Sequence, residues 1–279
     1  MAKILIIGCG VIGMALGNVL SGKGHQVTGL RRNPPVSDAN TFKFITADIQ
    51  SRKDIESLDS DFDTLFFIVS PDERSENNYR NLYETGLNHL LARYSQANKT
   101  KWFFVSSTSV YSQTEGEWVN EASLAEPDNV CSQVIRQAEL RLIETSPKHT
   151  VVRFSGIYGP GREHLLRMAQ QSPAIQKSPP YYTNRIHQDD CVAVLAFLLE
   201  QHLAGVTMES CYLATDDNPA PMWEVITWLT QQMNCNPPVE KTVGTVCSMN
   251  KRCDNSKLKA LGYQFKYPGF RHGYLELIQ

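Results

Sequence analysis

Three glycines in six residues, Gly8-Cys9-Gly10-Val11-Ile12-Gly13, are the spacing in this chain that speaks most directly to chemistry. A G-x-G-x-x-G run that leaves a strand and opens a helix brings backbone N–H groups up to a phosphate. In that reading Gly8 makes the tight turn and Gly10 admits a pyrophosphate against the main chain. Gly13 lets helix and strand pack closely. A glycine-rich turn without a ligand is the competing reading. The apolar run before the loop and the helical pattern after it favour a dinucleotide.

The second strand sets the cofactor preference. A site for NAD carries Asp or Glu about twenty residues beyond the glycines, on the ribose 2′-hydroxyl. Here the strand ends Gly29-Leu30-Arg31-Arg32, without an acid. Guanidinium groups there suit a 2′-phosphate by charge and adenine by planar stacking. The expectation is therefore NADP(H) in preference to NAD(H), with solvated surface charge as the plain alternative for Arg31 and Arg32. Asp48, followed by Ile49 after the third strand, is placed to accept from the adenine amino group. Val69 and Ser70 end the fourth strand beside the expected ribose.

These residues need a scaffold, and the hydrophobic pattern supplies one. Short apolar runs at Lys3–Gly8, His25–Leu30, Phe42–Ile45, Thr64–Val69, Lys101–Val105 and Thr150–Phe154 read as strands. Helical stretches alternate with them, at Val11–Lys23, Asp54–Leu58, Tyr79–Tyr94 and Val130–Glu144. The helix from Tyr79 is the clearest: Tyr79, Leu82, Tyr83, Gly86, Leu87, Leu90, Leu91 and Tyr94 repeat at i, i+3, i+4, i+7. This alternation predicts an α/β fold, a doubly wound parallel sheet (Rossmann) with a smaller C-terminal substrate lobe. Residues 1–160 form the expected dinucleotide-binding domain, with 186–215 returning to it. Residues 161–185 and 216–279 form the lobe.

Composition excludes several classes. The formal charge is -2 and 42% of residues are hydrophobic, so nothing points to nucleic acid or an anionic membrane. No apolar run reaches the ~18 residues that span a bilayer. The seven cysteines lack Cys-x-x-Cys and zinc-like spacing, so no metal site is expected and a reducing cytoplasm fits.

Further segments carry a likeness. Ser106-Ser107-Thr108-Ser109-Val110-Tyr111, Arg153-Phe154-Ser155-Gly156-Ile157-Tyr158-Gly159-Pro160-Gly161-Arg162 and Arg185-Ile186-His187-Gln188-Asp189-Asp190 resemble the strand-five, strand-six and His-x-x-Asp motifs of the extended short-chain dehydrogenase/reductases. With the glycine loop they make the chain similar to the NAD-dependent epimerase/dehydratase type, in its atypical branch. The resemblance implies a Ser, Tyr and Lys as general acid–base machinery. Ser107 falls on the serine position. The Tyr-x-x-x-Lys positions hold Cys131 and Ile135, between Pro127 and Glu139, so the usual pair is missing.

Tyr111 stands as a replacement for the tyrosine, with a packing aromatic as the alternative. Cys131 is either a proton-exchanging thiol or, as the plainer reading, a small buried one. The family likeness implies a homodimer through the helices near 76–97 and 130–145, with Tyr79, Tyr83 and Tyr94 supplying an apolar face. The same face packing on the chain's own sheet is the monomeric alternative. Arg153, Arg162, Arg185 and His187 either line an anionic substrate pocket or pair with Asp189 and Asp190. Trp118, Trp223 and Trp228 read as core or interface residues. Two functions follow: an NADP-dependent oxidoreductase or epimerase on a polar, sugar-like small molecule, or a non-catalytic NADP-binding sensor or scaffold.

Overall fold

The computed structural model describes residues 1–34, 41–94, 100–242 and 249–278. Asn33-Pro34-Pro35 reads in the sequence as the break after the second strand; Pro35, and residues 95–97 of the expected dimer helix, lie outside the described residues. The elements alternate along the first part of the chain as β1 (Lys3–Ile7), α1 (Val11–Gly22), β2 (Gln26–Arg31), β3 (Lys43–Thr46), α2 (Arg52–Glu56), β4 (Thr64–Phe67), α3 (Glu76–Arg80), α4 (Leu87–Tyr94), β5 (Lys101–Ser107) and α5 (Val130–Thr145). Between α3 and α4 the same helix widens into a π turn, Asn81–Gly86.

Seven strands form one sheet in the order Cys211–Ala214, Thr150–Phe154, β5, β4, β1, β2, β3. The pairs β1–β2, β1–β4, β2–β3 and β4–β5 are all parallel. Parallel strands covered on both faces must be apolar throughout. Accordingly Ile4, Leu5, Ile6 and Ile7 of β1 and Leu65, Phe66 and Phe67 of β4 are fully buried. Each such side chain is worth roughly 1.5–3 kcal/mol of transfer free energy. Stacked rings run from strand to strand: Phe66 on Phe103 and Phe67 on Phe104, with centroids 5.0 and 5.1 Å apart.

The sheet order reverses direction of growth at β1 and β4. A doubly wound sheet opens a ligand crevice at such a point, outside the carboxyl ends of the strands.

The chain divides into two compact units: 1–110, 127–152 and 192–211, and 111–126, 153–191 and 212–279. The expected dinucleotide-binding domain is 1–160 with 186–215 returning; here 192–211 lie in the first unit, and 111–126 and 153–160 in the second. Residues 111–126 belong to the second unit because Glu117–Val119 pairs with Lys251–Cys253. Arg153 joins that unit too, stacking on Tyr111 with its guanidinium 4.9 Å from the ring centroid. The second unit has its own core, in which Tyr158, Leu166, Val225, Ile226, Leu229, Phe270 and Tyr274 meet.

Of the tryptophans read as core or interface residues, Trp118 is 55% exposed and flanks Arg252. Tyr83 and Tyr94 are buried on the first unit's own sheet, against Phe67 and Trp102. That is the packing alternative for these two rings. No helix among the described residues is long and apolar enough to cross a membrane.

Candidate dinucleotide site

The glycine loop occupies the crevice, and each glycine has a separate reason. Gly8 has φ +94°, and a Cβ there would lie 2.3 Å from the Ile68 carbonyl oxygen on the end of β4. A Cβ on Gly13 would lie 2.4 Å from the Gly8 carbonyl oxygen. Both are demanded by packing of the chain on itself. Gly10 is different: it is exposed, and a Cβ there would meet no atom of the protein within 4 Å. Its φ of -75° needs no glycine either. The space a side chain would fill lies over the start of α1, of which Gly10 is the N-cap. No side chain caps that helix and no acid sits in its first turn. Its leading N–H groups and the positive end of its dipole are left for an anion.

Around this point lies a cavity of about 470 Å³. Gly8, Cys9 and Gly10 line it together with Arg31 and Arg32 from the end of β2, Asp48 and Ile49 after β3, and Val69 and Ser70 after β4. Nine of the residues expected at the cofactor therefore meet in one place. Val11, Ile12 and Gly13 continue the loop into α1 and do not line the cavity.

Contacts set the walls. Arg31 Nη1 donates to the Cys9 carbonyl oxygen at 3.1 Å, which ties the guanidinium to the loop. Arg32 donates to Asp72 at 2.6 Å, an exposed pair of little energetic weight. Asp48 Oδ1 accepts from the Gln50 N–H at 2.9 Å. Ile49 is anchored from behind, its carbonyl 3.0 Å from His89 Nδ1, and a Cβ on Gly86 would strike its side chain at 2.6 Å. Tyr83 donates from its hydroxyl to the Val69 carbonyl oxygen at 3.1 Å. The Cys9 thiol points away, toward the Ile6 carbonyl oxygen at 3.4 Å, and burial pushes it up to about 12. It is packing, not chemistry.

Asp72, Asn78, Asn81 and Leu82 also line the cavity and were not anticipated. The last three come from the helix that carries the π turn. Its period was legible, but Asn78 and Asn81 fall outside that apolar repeat.

The serine motif divides. Ser106 is buried at the end of β5 and donates to Glu139 Oε1, while Glu139 Oε2 accepts from Arg136 Nη1 at 2.8 Å. Neither Ser106 nor Ser107 lines the cavity. Ser107 is half-buried and its Oγ accepts from the Ser109 N–H at 3.1 Å. Nearby, Ser132 Oγ donates to Ser109 Oγ at 2.9 Å. Cys131 is half-buried, and Ile135, at the lysine position, is 6% exposed.

In the second unit Tyr111 is fully buried. Its hydroxyl donates to the Asn120 carbonyl oxygen at 2.8 Å and accepts from Arg153 Nη1 at 2.6 Å. Lys251 Nζ reaches its carbonyl oxygen at 2.7 Å.

The Arg-x-His-x-Asp-Asp segment resolves as structure in part. Asp190 accepts from Tyr263 Oη at 2.8 Å and from the Lys266 and Tyr267 N–H groups, both at 2.9 Å. His187 Nδ1 accepts from the Asp189 N–H at 3.2 Å, and burial pulls its pKa down. Arg185 bonds Thr183 and stacks on Phe270.

A parallel doubly wound sheet with a glycine loop at its switch point defines a dinucleotide-binding α/β protein. The chain belongs to the NAD-dependent epimerase/dehydratase family, whose model matches residues 4–209. It is 24% identical over 280 residues to Protein YeeZ of Escherichia coli strain K12, spanning 96% of this chain and 97% of that one. A Methylobacillus flagellatus protein assigned to the same epimerase/dehydratases is 34% identical, with a TM-score of 0.85 over 99% of this chain and 97% of its own. The dTDP-glucose 4,6-dehydratase of Bacillus anthracis, solved with NAD, gives 0.80 at 17% identity over 100% and 96% of the two chains. At that identity the likeness concerns the fold. The cofactor of the family is a nicotinamide dinucleotide, and the open space over Gly10 at the uncapped start of α1 fits its pyrophosphate.

Proposed function

We propose that this protein is an NADP(H)-dependent oxidoreductase of the epimerase/dehydratase type, acting on a polar small molecule of the sugar or nucleotide-sugar class. The observation that carries the reading is the pair Arg31 and Arg32 on the cavity wall, at the end of a β2 strand that presents no carboxylate. Arg31, tied to the loop, offers a flat cation to adenine, and Arg32 can exchange Asp72 for a 2′-phosphate. The N-terminal N–H groups of α1 hold the pyrophosphate, with Gly10 leaving room for it. Asp48 accepts from the adenine amino group, and Ile49, Val69 and Ser70 bound the ribose.

A nicotinamide cofactor held by these residues would supply hydride-transfer chemistry. Ser107 orients the substrate oxygen. Ile135 supplies no charge to tune a phenol, and the Tyr111 hydroxyl is committed to Asn120 and Arg153. Water is left to carry the proton. Titration of NADPH and NADH by calorimetry tests the first half. Arg31→Ala with Arg32→Ala is expected to weaken NADPH by about tenfold or more, from two charge-assisted contacts, and NADH far less. Equal losses sink the 2′-phosphate assignment.

A second reading rests on the hydrophobic side chain at position 135. Without the lysine, the chain is a NADP-binding sensor or scaffold. A hydride-transfer screen over carbonyl compounds and nucleotide sugars separates the two, because a sensor binds NADPH and oxidises none.

A further inference from the structure

A second cavity, of about 330 Å³, opens in the first unit at the opposite edge of the sheet. Lys101 and Trp102 on its wall begin β5, His149 immediately precedes the strand from Thr150, and Leu91 and Tyr94 end α4. It therefore lies at the amino ends of the strands, whereas the dinucleotide crevice lies at their carboxyl ends.

Its polar groups are unusual for a packing defect. Lys101 is 5% exposed. Its Nζ donates to the Lys148 carbonyl oxygen and to Thr150 Oγ1, the latter at 2.8 Å. An ammonium carries three N–H groups, so one remains. His149 is 8% exposed and its Nδ1 has no partner among the described residues. Among the described residues no acidic side chain lines the cavity, and the exposed Lys148 on its wall adds a second cation.

Lys101 Nζ also lies 5.1 Å from the Phe103 ring centroid, but among the described residues lining the cavity no carboxylate answers its charge, and a buried cation without a counter-ion is costly. The C-terminal end of α5, at Thr145, offers only about half a negative charge to Lys101. The site is left net positive. Leu91, Tyr94 and Trp102 give it an apolar wall, and its volume is roughly ten times that of one water. An inorganic ion would fill little of it.

We propose that this cavity binds a small organic monocarboxylate, with the carboxylate on Lys101 and His149 and the apolar body against Leu91, Tyr94 and Trp102. Burial lowers Lys101 to about 8 and His149 to about 4. At neutral pH the lysine is cationic and the imidazole neutral, with one N–H to donate. That leaves a single buried positive charge to neutralise, which selects a monoanion over a phosphate dianion. The site is independent of the dinucleotide reading, which concerns other residues at the other edge of the sheet.

The test is calorimetric titration of the full chain with phenylacetate and with phenylacetamide, its neutral isostere. Phenylacetate is expected to bind saturably at one site and the amide about tenfold more weakly or worse. Lys101→Met and His149→Phe should each weaken the acid by a similar factor, while Arg31→Ala leaves it unchanged. The proposal is overturned if phenylacetate, benzoate and isovalerate all fail to bind saturably, or if acid and amide bind equally. It also falls if His149→Phe binds as well as the wild type, or if Arg31→Ala abolishes binding. Should Lys101→Met fail to fold, the acid–amide ratio and His149→Phe still decide. NADPH titration of the same samples reports the dinucleotide site separately.

Discussion

Substituting the glycines of the loop one at a time separates the fold from the cofactor. In Gly10→Ala the new methyl meets no protein atom within 4 Å, and a φ of -75° is open to alanine. Folding stability should stay within about 0.5 kcal/mol of wild type, or rise slightly through a stiffer unfolded chain. The methyl does occupy the space over the start of α1. Pushing the pyrophosphate off those N–H groups forfeits charge-assisted hydrogen bonds worth roughly 1.5–3 kcal/mol. That is about a 10- to 150-fold rise in Kd. In Gly13→Ala the methyl lies 2.4 Å from the Gly8 carbonyl oxygen, so the helix itself must move, at roughly 1–3 kcal/mol. Thermal melts and NADPH calorimetry on the two variants give the comparison. Gly10→Ala with intact affinity, or with a lowered Tm, refutes the claim that the space over Gly10 is kept for a ligand.

Three further outcomes follow from buried polar groups. His149 titrates below its ordinary 6.5, at about 4, because burial disfavours the imidazolium. The unfolded chain thus takes up the proton first, so the stability tied to this group is full above about 6.5 and declines as pH falls toward 4, by about 3 kcal/mol in all. Melts across that range on wild type and His149→Phe should show the variant's acid slope reduced; parallel slopes contradict it. Glu139→Ala strands Ser106 Oγ and Arg136 in the first unit, and a loss of about 2–4 kcal/mol is expected by urea titration, with a change under 1 kcal/mol counting against it. Asp190→Ala removes the acceptor of three donors in the second unit and should cost about 3 kcal/mol by the same measurement, whereas Asp190→Glu, misplacing rather than deleting the carboxylate, should cost less.

The strands and the glycine loop were legible because their signals are local. Ile4–Ile7 and Leu65–Phe67 are buried on both faces, which a run of apolar residues reports directly. The convergence of Arg31, Asp48, Ile49, Val69 and Ser70 followed from strand ends sharing one edge of a parallel sheet. Asn78 and Asn81 escaped because their crevice contacts depend on how a helix crosses that edge, which no periodicity encodes. The division into units escaped for a related reason: Glu117–Val119 pairs with a strand more than 130 residues later, and short three-residue strands carry almost no pattern of their own. Lys101 and His149 look like ordinary polar residues flanking strands, and only burial distinguishes them.

The π turn at Asn81–Gly86 bears on how this helix tolerates insertion and deletion. An i→i+5 turn accommodates one residue more than an α-helix would over the same rise. Such a turn is what a single-codon insertion leaves behind when the flanking halves are both pinned. Here Asn78, Asn81 and Leu82 are pinned to the crevice, and Leu87, Leu90, Leu91 and Tyr94 to the core. Wound as regular α-helix, the extra residue would instead rotate one half by about a quarter-turn against the other, since each α-helical residue carries about 100°. Either the asparagines would leave the cavity wall or the leucines would leave the sheet. The wide turn is therefore a phase keeper, taking up a residue while each half of one continuous helix holds its own surface.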